Sequence, residues 1–101
     1  MPIYVTITKS TNPKKKYTAI FSHEVNGKMK KIKTTHFGSG GMSDFTIHGD
    51  KARKQRYLDR HRKRENWESY MTPGSLSRYI LWNKPTFKGS LRDFKKRFNL
   101  K

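Results

Sequence analysis

Tyr17-Thr18-Ala19-Ile20-Phe21-Ser22-His23-Glu24-Val25-Asn26-Gly27-Lys28-Met29-Lys30-Lys31-Ile32-Lys33-Thr34-Thr35-His36 is the stretch that decides the fold. Two runs able to form strands flank Asn26-Gly27, a dipeptide that accepts the positive φ angles of a type I′ hairpin turn. Pairing outward from that turn sets Phe21 opposite Ile32, Ala19 opposite Thr34 and Tyr17 opposite His36. Lys31 and Lys33 then share the other face with Ser22 and Ile20. One face packs and the other stays wet and cationic. Upstream, Ile3, Val5 and Ile7 alternate with Tyr4, Thr6 and Thr8, the period of a half-buried strand, until Ser10-Thr11-Asn12-Pro13 breaks it. Residues 3–36 therefore read as an antiparallel three-stranded sheet.

Downstream, residues 37–49 carry four glycines and two serines, which predicts an irregular connection with Met42, Phe45 and Ile47 anchoring it to the core. The glycines suit a tight, closely packed turn. Asp50 stands where an N-cap belongs, and residues 50–66 lack Gly and Pro, so a basic helix of about four turns is expected there. Tyr57, Leu58 and His61 give it a narrow packing stripe. Thr72-Pro73 then offers a cap with proline at the first helical position, and Leu76, Tyr79, Ile80, Leu81 and Trp82 surround the helix axis as in an enclosed helix. Asn83-Lys84-Pro85 ends that segment. Ser90 with Asp93 predicts the start of a last helix, whose Leu91, Phe94 and Phe98 face inward while Arg92, Lys95, Lys96 and Arg97 face solvent. The whole is one small basic α+β domain over residues 1–101, with two or three short helices on the apolar sheet face and 72–98 as its helical core segment.

Charge sets the functional question. Lys and Arg number 24 against 7 Asp and Glu, a formal +17 on 101 residues. The cations divide evenly, with eight up to Lys33, eight from Lys51 to Arg64 and eight from Arg78 onward, so the body itself is cationic. Self-repulsion destabilises such a body, and a polyanion relieves it while releasing condensed counterions. Lys51, Arg53, Lys54, Arg56, Arg60, Arg62, Lys63 and Arg64 on the basic helix, with Lys95, Lys96 and Arg97 on the last one, are the candidate nucleic-acid contacts. If about six phosphates are neutralised, log affinity falls against log salt with a slope near −5.

Other chemistries find little footing. With no cysteine there is neither a disulfide framework nor a thiolate metal site, which fits a reducing setting. The start lacks a signal-peptide pattern, and no run approaches the roughly 20 apolar residues of a membrane span, so a soluble or peripherally held protein is expected. No Cys/His zinc-finger pattern, heptad array or RNA-recognition signature occurs, which favours nonspecific contact. His23, His36, His48 and His61 with Asp44 and Asp50 match no metal-ligand spacing, and Ser39-Gly40-Gly41 lacks the Gly-Lys-Ser/Thr of a phosphate loop. Neither a metal, a cofactor nor a small-molecule substrate is expected.

The run His36-Phe37-Gly38, Gly41, Ser43-Asp44-Phe45-Thr46, Tyr57, Arg60-His61, Asn66-Trp67, Thr72, Gly74, Leu76 to Thr86 and Asp93 to Phe98 resembles a family of short basic proteins. These are encoded by large double-stranded DNA viruses of algae and amoebae. The likeness covers about residues 34–98. It implies a virion setting, with host cytoplasm or nucleus during infection, and transfers no catalytic residue. A non-enzymatic virion protein is the leading expectation, a minor capsid or inner-virion component touching viral double-stranded DNA, capsid proteins or an anionic membrane surface. The alternative is a nonspecific nucleic-acid-binding protein outside the virion. A third reading is a small metal-dependent nuclease using Asp44, His36 and His48.

Overall fold

The computed structural model describes residues 2–101; Met1, where the predicted domain begins, lies outside the described residues. The chain is α+β. Strands β1 (Ile3–Lys9), β2 (Lys15–Val25) and β3 (Lys28–Ser39) form an antiparallel sheet in the order β1-β2-β3. Four short helices follow: α1 (Phe45–His48), α2 (Lys51–His61), α3 (Pro73–Leu76) and α4 (Phe87–Arg97), with α3 continuing as a π-helical turn over Ser77–Leu81. Asn26 and Gly27 take φ angles of 52° and 78°, as a type I′ turn requires.

The register differs from the sequence expectation part-way along the hairpin. Pairs run from Val25–Lys28 to Ser22–Lys31 as expected, but the next is Phe21–Lys33. Ile32 is the extra residue of a β-bulge and is 42% exposed. Ala19 therefore pairs with Thr35 and Tyr17 with Phe37, instead of Thr34 and His36, and Lys33 shares a face with Phe21 instead of Ile20. The reason is Phe37. A straight register would turn its ring away from the helices, whereas one extra residue reverses the parity and buries it completely.

Val5, Ala19, Phe21 and Phe37 on the sheet meet Leu76, Tyr79, Ile80, Leu81, Phe94 and Leu100 in one core. Each fully enclosed phenylalanine, Phe21, Phe37 and Phe94, contributes roughly 1.5–3 kcal/mol by burial. Thr72 caps α3 by accepting from the Ser75 amide at 3.2 Å, with Pro73 at the first helical position. The Trp82 amide donates five residues back to Ser77 O at 3.1 Å, and Tyr79, Ile80 and Leu81 are all enclosed. Gly38, at φ 80°, admits Leu81: a Cβ there would meet Leu81 Cδ1 at 2.8 Å.

Three further expectations are corrected. The connection is not wholly irregular, because β3 continues through Ser39 and residues 45–48 form a helical turn capped by Asp44. Phe45 anchors it, but Met42 and Ile47 are 66% and 68% exposed; Asp44 fixes the turn so that Phe45 points inward and Ile47 outward. The basic helix stops at His61 instead of Asn66. Glu65 must leave the helix to lie against Gly74, where a Cβ would overlap its carboxylate, and Asn66 O accepts from Ser75 Oγ at 3.0 Å. The last helix begins at Phe87, capped by Thr86, whose hydroxyl accepts from the Gly89 amide at 3.1 Å. Ser90 is no cap: it is fully buried and its hydroxyl accepts from the Lys84 amide at 3.0 Å, tying α4 to the preceding turn. After Asn99, at φ 54°, Leu100 bridges to Ile3, and Lys101 exchanges backbone bonds of 2.8 and 3.0 Å with Ile3 and Val5, covering the β1 edge.

Candidate nucleic-acid interface

Arg53, Arg56, Tyr57, Arg60 and His61 recur at the 3, 4, 7 and 8 spacing that puts residues on one side of a helix. In α2 that side forms one wall of a cleft of about 440 Å³. Asp50 fixes the start of the helix, accepting from the Ala52 and Arg53 amides at 3.0 and 3.2 Å. The Arg53 amide bond foremost, with Ala52 and nearby positive charge, holds the Asp50 carboxyl below its ordinary range. The rest of the lining includes Lys15, Lys16, Gly38 and Ser39 from the end of the sheet, with Gly74, Ser77, Leu81 and Trp82 from α3 and the π-helical segment.

Five cations, Lys15, Lys16, Arg53, Arg56 and Arg60, line this cleft against two carboxylates, Asp44 and Glu65. Asp44 is only 2% exposed, and Lys16 pairs with it directly, so that charge is already spent inside the fold. Lys15, Arg53, Arg56 and Arg60 are exposed and make no ion pair among the described residues. Among the described residues the other ion pairs are Arg62–Asp59 at 4.0 Å and Arg97–Asp93 at 3.4 Å, both largely open to solvent. The positive surplus is therefore left facing water.

Tyr57 and Trp82 stack at 4.4 Å between ring centroids with an interplanar angle of 6°, and His61 lies 4.3 Å from Tyr57. Burial, reinforced by the Glu65 carboxylate, pushes the Tyr57 phenol up to about 12. This stack joins α2 to the π-helical segment, and Phe45 and Leu58 are buried beside α1 and α2, outside the main core. The basic helix thus docks through a small aromatic cluster and keeps its arginines free.

The sequence-predicted contacts separate into groups. Arg53, Arg56 and Arg60 line the cleft, while Lys51 is exposed at the first turn of α2 and Arg62, Lys63 and Arg64 are exposed just past its end. Lys54 turns inward, donating to Asn83 O at 2.7 Å and lying 5.1 Å from the Phe45 ring centre. Burial and the nearby Arg78 guanidinium lower its pKa. Lys95, Lys96 and Arg97 do not line the cleft; Arg97 sits 5.0 Å from the Tyr79 ring centre, beside Asp93. Lys15, Lys16 and Glu65 complete the site and were missed by sequence reasoning. Arg78 was missed too; it lies 5.3 and 4.9 Å from the Trp67 and Tyr79 ring centres, donates to Trp82 O at 3.3 Å, and burial lowers its pKa.

The histidines and acids are dispersed. His36 Nδ1 shares hydrogen bonds with Thr18 Oγ1 at 2.8 Å and Ser10 Oγ at 3.2 Å, while His48 Nδ1 accepts from the Asp50 amide at 2.9 Å. Among the described residues no group of three or more His, Asp or Glu gathers as a metal site. No curated protein and no solved structure matches the chain. Residues 5–61, from β1 through the arginine face of α2, match the family described as "Family of unknown function (DUF5754)", and the chain belongs to that family.

Proposed function

We propose that this chain is a non-enzymatic protein that binds a nucleic-acid backbone without sequence preference. The observation that carries the reading is the convergence of Arg53, Arg56 and Arg60 from α2 with Lys15 from β2 on one cleft, exposed and without carboxylate partners. Guanidinium groups pair bidentately with phosphate oxygens, and cations held on two rigid elements contact a backbone without ordering a flexible tail. The sequence likeness to proteins of large double-stranded DNA viruses supports packaged genomic DNA as the polyanion, with this protein as an inner-virion or minor capsid component. Anionic headgroups are a weaker fit, because the cations are gathered in a concave cleft and not spread over a flat apolar-rimmed face.

Fluorescence anisotropy with a labelled duplex at several salt concentrations tests the binding. The expected result is micromolar or tighter binding at low salt that weakens steeply with log salt; salt-insensitive or absent binding refutes it. Fractionation of purified virions tests the setting: recovery with the nucleoprotein core supports it. Absence from particles, with DNA binding intact, moves the protein to a role outside the virion.

A further inference from the structure

The two edges of the sheet end differently. Leu100 and Lys101 cover the β1 edge, whereas β3 is outermost on the other side, and among the described residues its backbone from 28 to 38 bonds to no element but β2. The row of N–H and C=O groups facing away from β2 is therefore open. Lys28 to Thr34 are exposed without a break, and β1 backs β2 as far as the Ile3–His23 pair, so the open edge belongs to a three-stranded sheet. Lys28, Lys30, Lys31 and Lys33 lie along it, and no Asp or Glu occurs between Glu24 and Asp44. Lys28, Lys30 and Lys33 pair with Val25, His23 and Phe21 and so share one face of the sheet; Lys31 is on the other face with Met29, which is 54% exposed.

We infer that β3 is a docking edge for an extended acidic segment of another protein, which adds to the sheet as a fourth strand. A second copy of this chain is a poor occupant, because antiparallel pairing of two such edges sets lysine against lysine. A phosphate backbone would use the ammonium groups, but it has no N–H donor for the open C=O groups. A peptide strand satisfies both rows, its main chain supplying the attachment and its side chains the selection. Acidic residues at alternate positions of that strand lie across from Lys28, Lys30 and Lys33, and apolar residues between them lie across from Met29. The exposed stretch spans about 20 Å, room for a strand of about six residues. The bulge at Ile32 keeps Lys30 and Lys33 on one face while twisting the edge, which disfavours a longer, flat partner.

The inference does not depend on the cleft, and backbone amide NMR of the intact chain with a synthetic Glu-Val-Glu-Val-Glu-Val-Glu peptide tests it. Shifts and added hydrogen-exchange protection should fall on Lys28 to Thr34. Two further peptides carry N-methyl groups on the odd or on the even residues, which keeps the charge but blocks one row of main-chain donors. The one blocked on the side facing β3 should bind about tenfold more weakly, and the other like the parent. K28Q/K30Q/K33Q should weaken the parent peptide about fivefold. Equal binding by all three peptides overturns the added strand, because charge alone would then hold them, and absence of binding or shifts centred on Lys15 and Arg53 to Arg60 overturns it too. A duplex that moves Lys28 to Thr34 would assign the edge to nucleic acid instead, and concentration-dependent protection there without peptide would assign it to a second copy.

Discussion

Substituting R53Q/R56Q/R60Q removes three exposed cations from one cleft wall while leaving Tyr57, Leu58 and the Asp50 cap in place. Each neutralised phosphate contributes about 0.9 to the salt slope, so the magnitude of the slope should fall by about 2.7. With about six contacts, a slope of about 5.4, the wild type loses about two-thousandfold in affinity between 50 and 200 mM salt; the variant should lose about fortyfold. None of the three arginines is buried or paired, so stability should stay within about 0.5 kcal/mol. The control is K88Q/R92Q/K96Q, which removes the same charge from exposed positions of α4 outside the cleft. Anisotropy titrations at four or more salt concentrations give both slopes. Equal falls in the two variants would refute the reasoning, because net charge and not the cleft would then govern binding.

Three further outcomes follow from particular residues. Because the Tyr57 phenol is raised to about 12, its stabilisation is complete below pH 10 and is lost as pH rises towards 12. The stability difference between wild type and Y57F should therefore shrink by roughly 2–3 kcal/mol over that window in urea melts, and a constant difference would contradict the burial argument. Glu65→Gln removes the cleft carboxylate that no lysine or arginine pairs, and should tighten duplex binding by up to about fivefold at low salt, the effect of roughly 1 kcal/mol for a unit charge near 4 Å in water. Deleting Ile32 leaves Lys33 opposite Phe21 and Phe37 opposite Tyr17, so thermal melts should show a loss below about 1.5 kcal/mol; an unfolded variant would mean that β3 needs the bend itself.

Local chemistry made much of the fold legible. Asn26-Gly27, the alternation at Ile3, Val5 and Ile7, the Asp50 cap and Thr72-Pro73 each specify backbone geometry through their own side chains. The bulge left only an indirect trace: Ile32 is at an even position, while Thr35 and Phe37, which face the core, are at odd ones. A parity change within one strand calls for an extra residue. The ends of α2 and α4 were hidden because Glu65 is held against Gly74 and the Ser90 hydroxyl against the Lys84 amide, tertiary contacts with no local signature. The arginine stripe at 53, 56 and 60 could be read from helical spacing. Its partner Lys15 could not, since 38 residues separate it from Arg53 and only the packing of α2 beside the sheet end brings them together.

The most direct measurement is a backbone amide NMR titration of the intact chain with a duplex of arbitrary sequence. Shifts should concentrate at Lys15 and Lys16, along Arg53 to His61 and around Pro73 to Ser77, with the α4 surface at Lys88 and Arg92 unmoved. Shifts centred on α4, or on the outward sheet positions Thr6, Ile20 and Thr34, would contradict the assignment of the cleft as the interface.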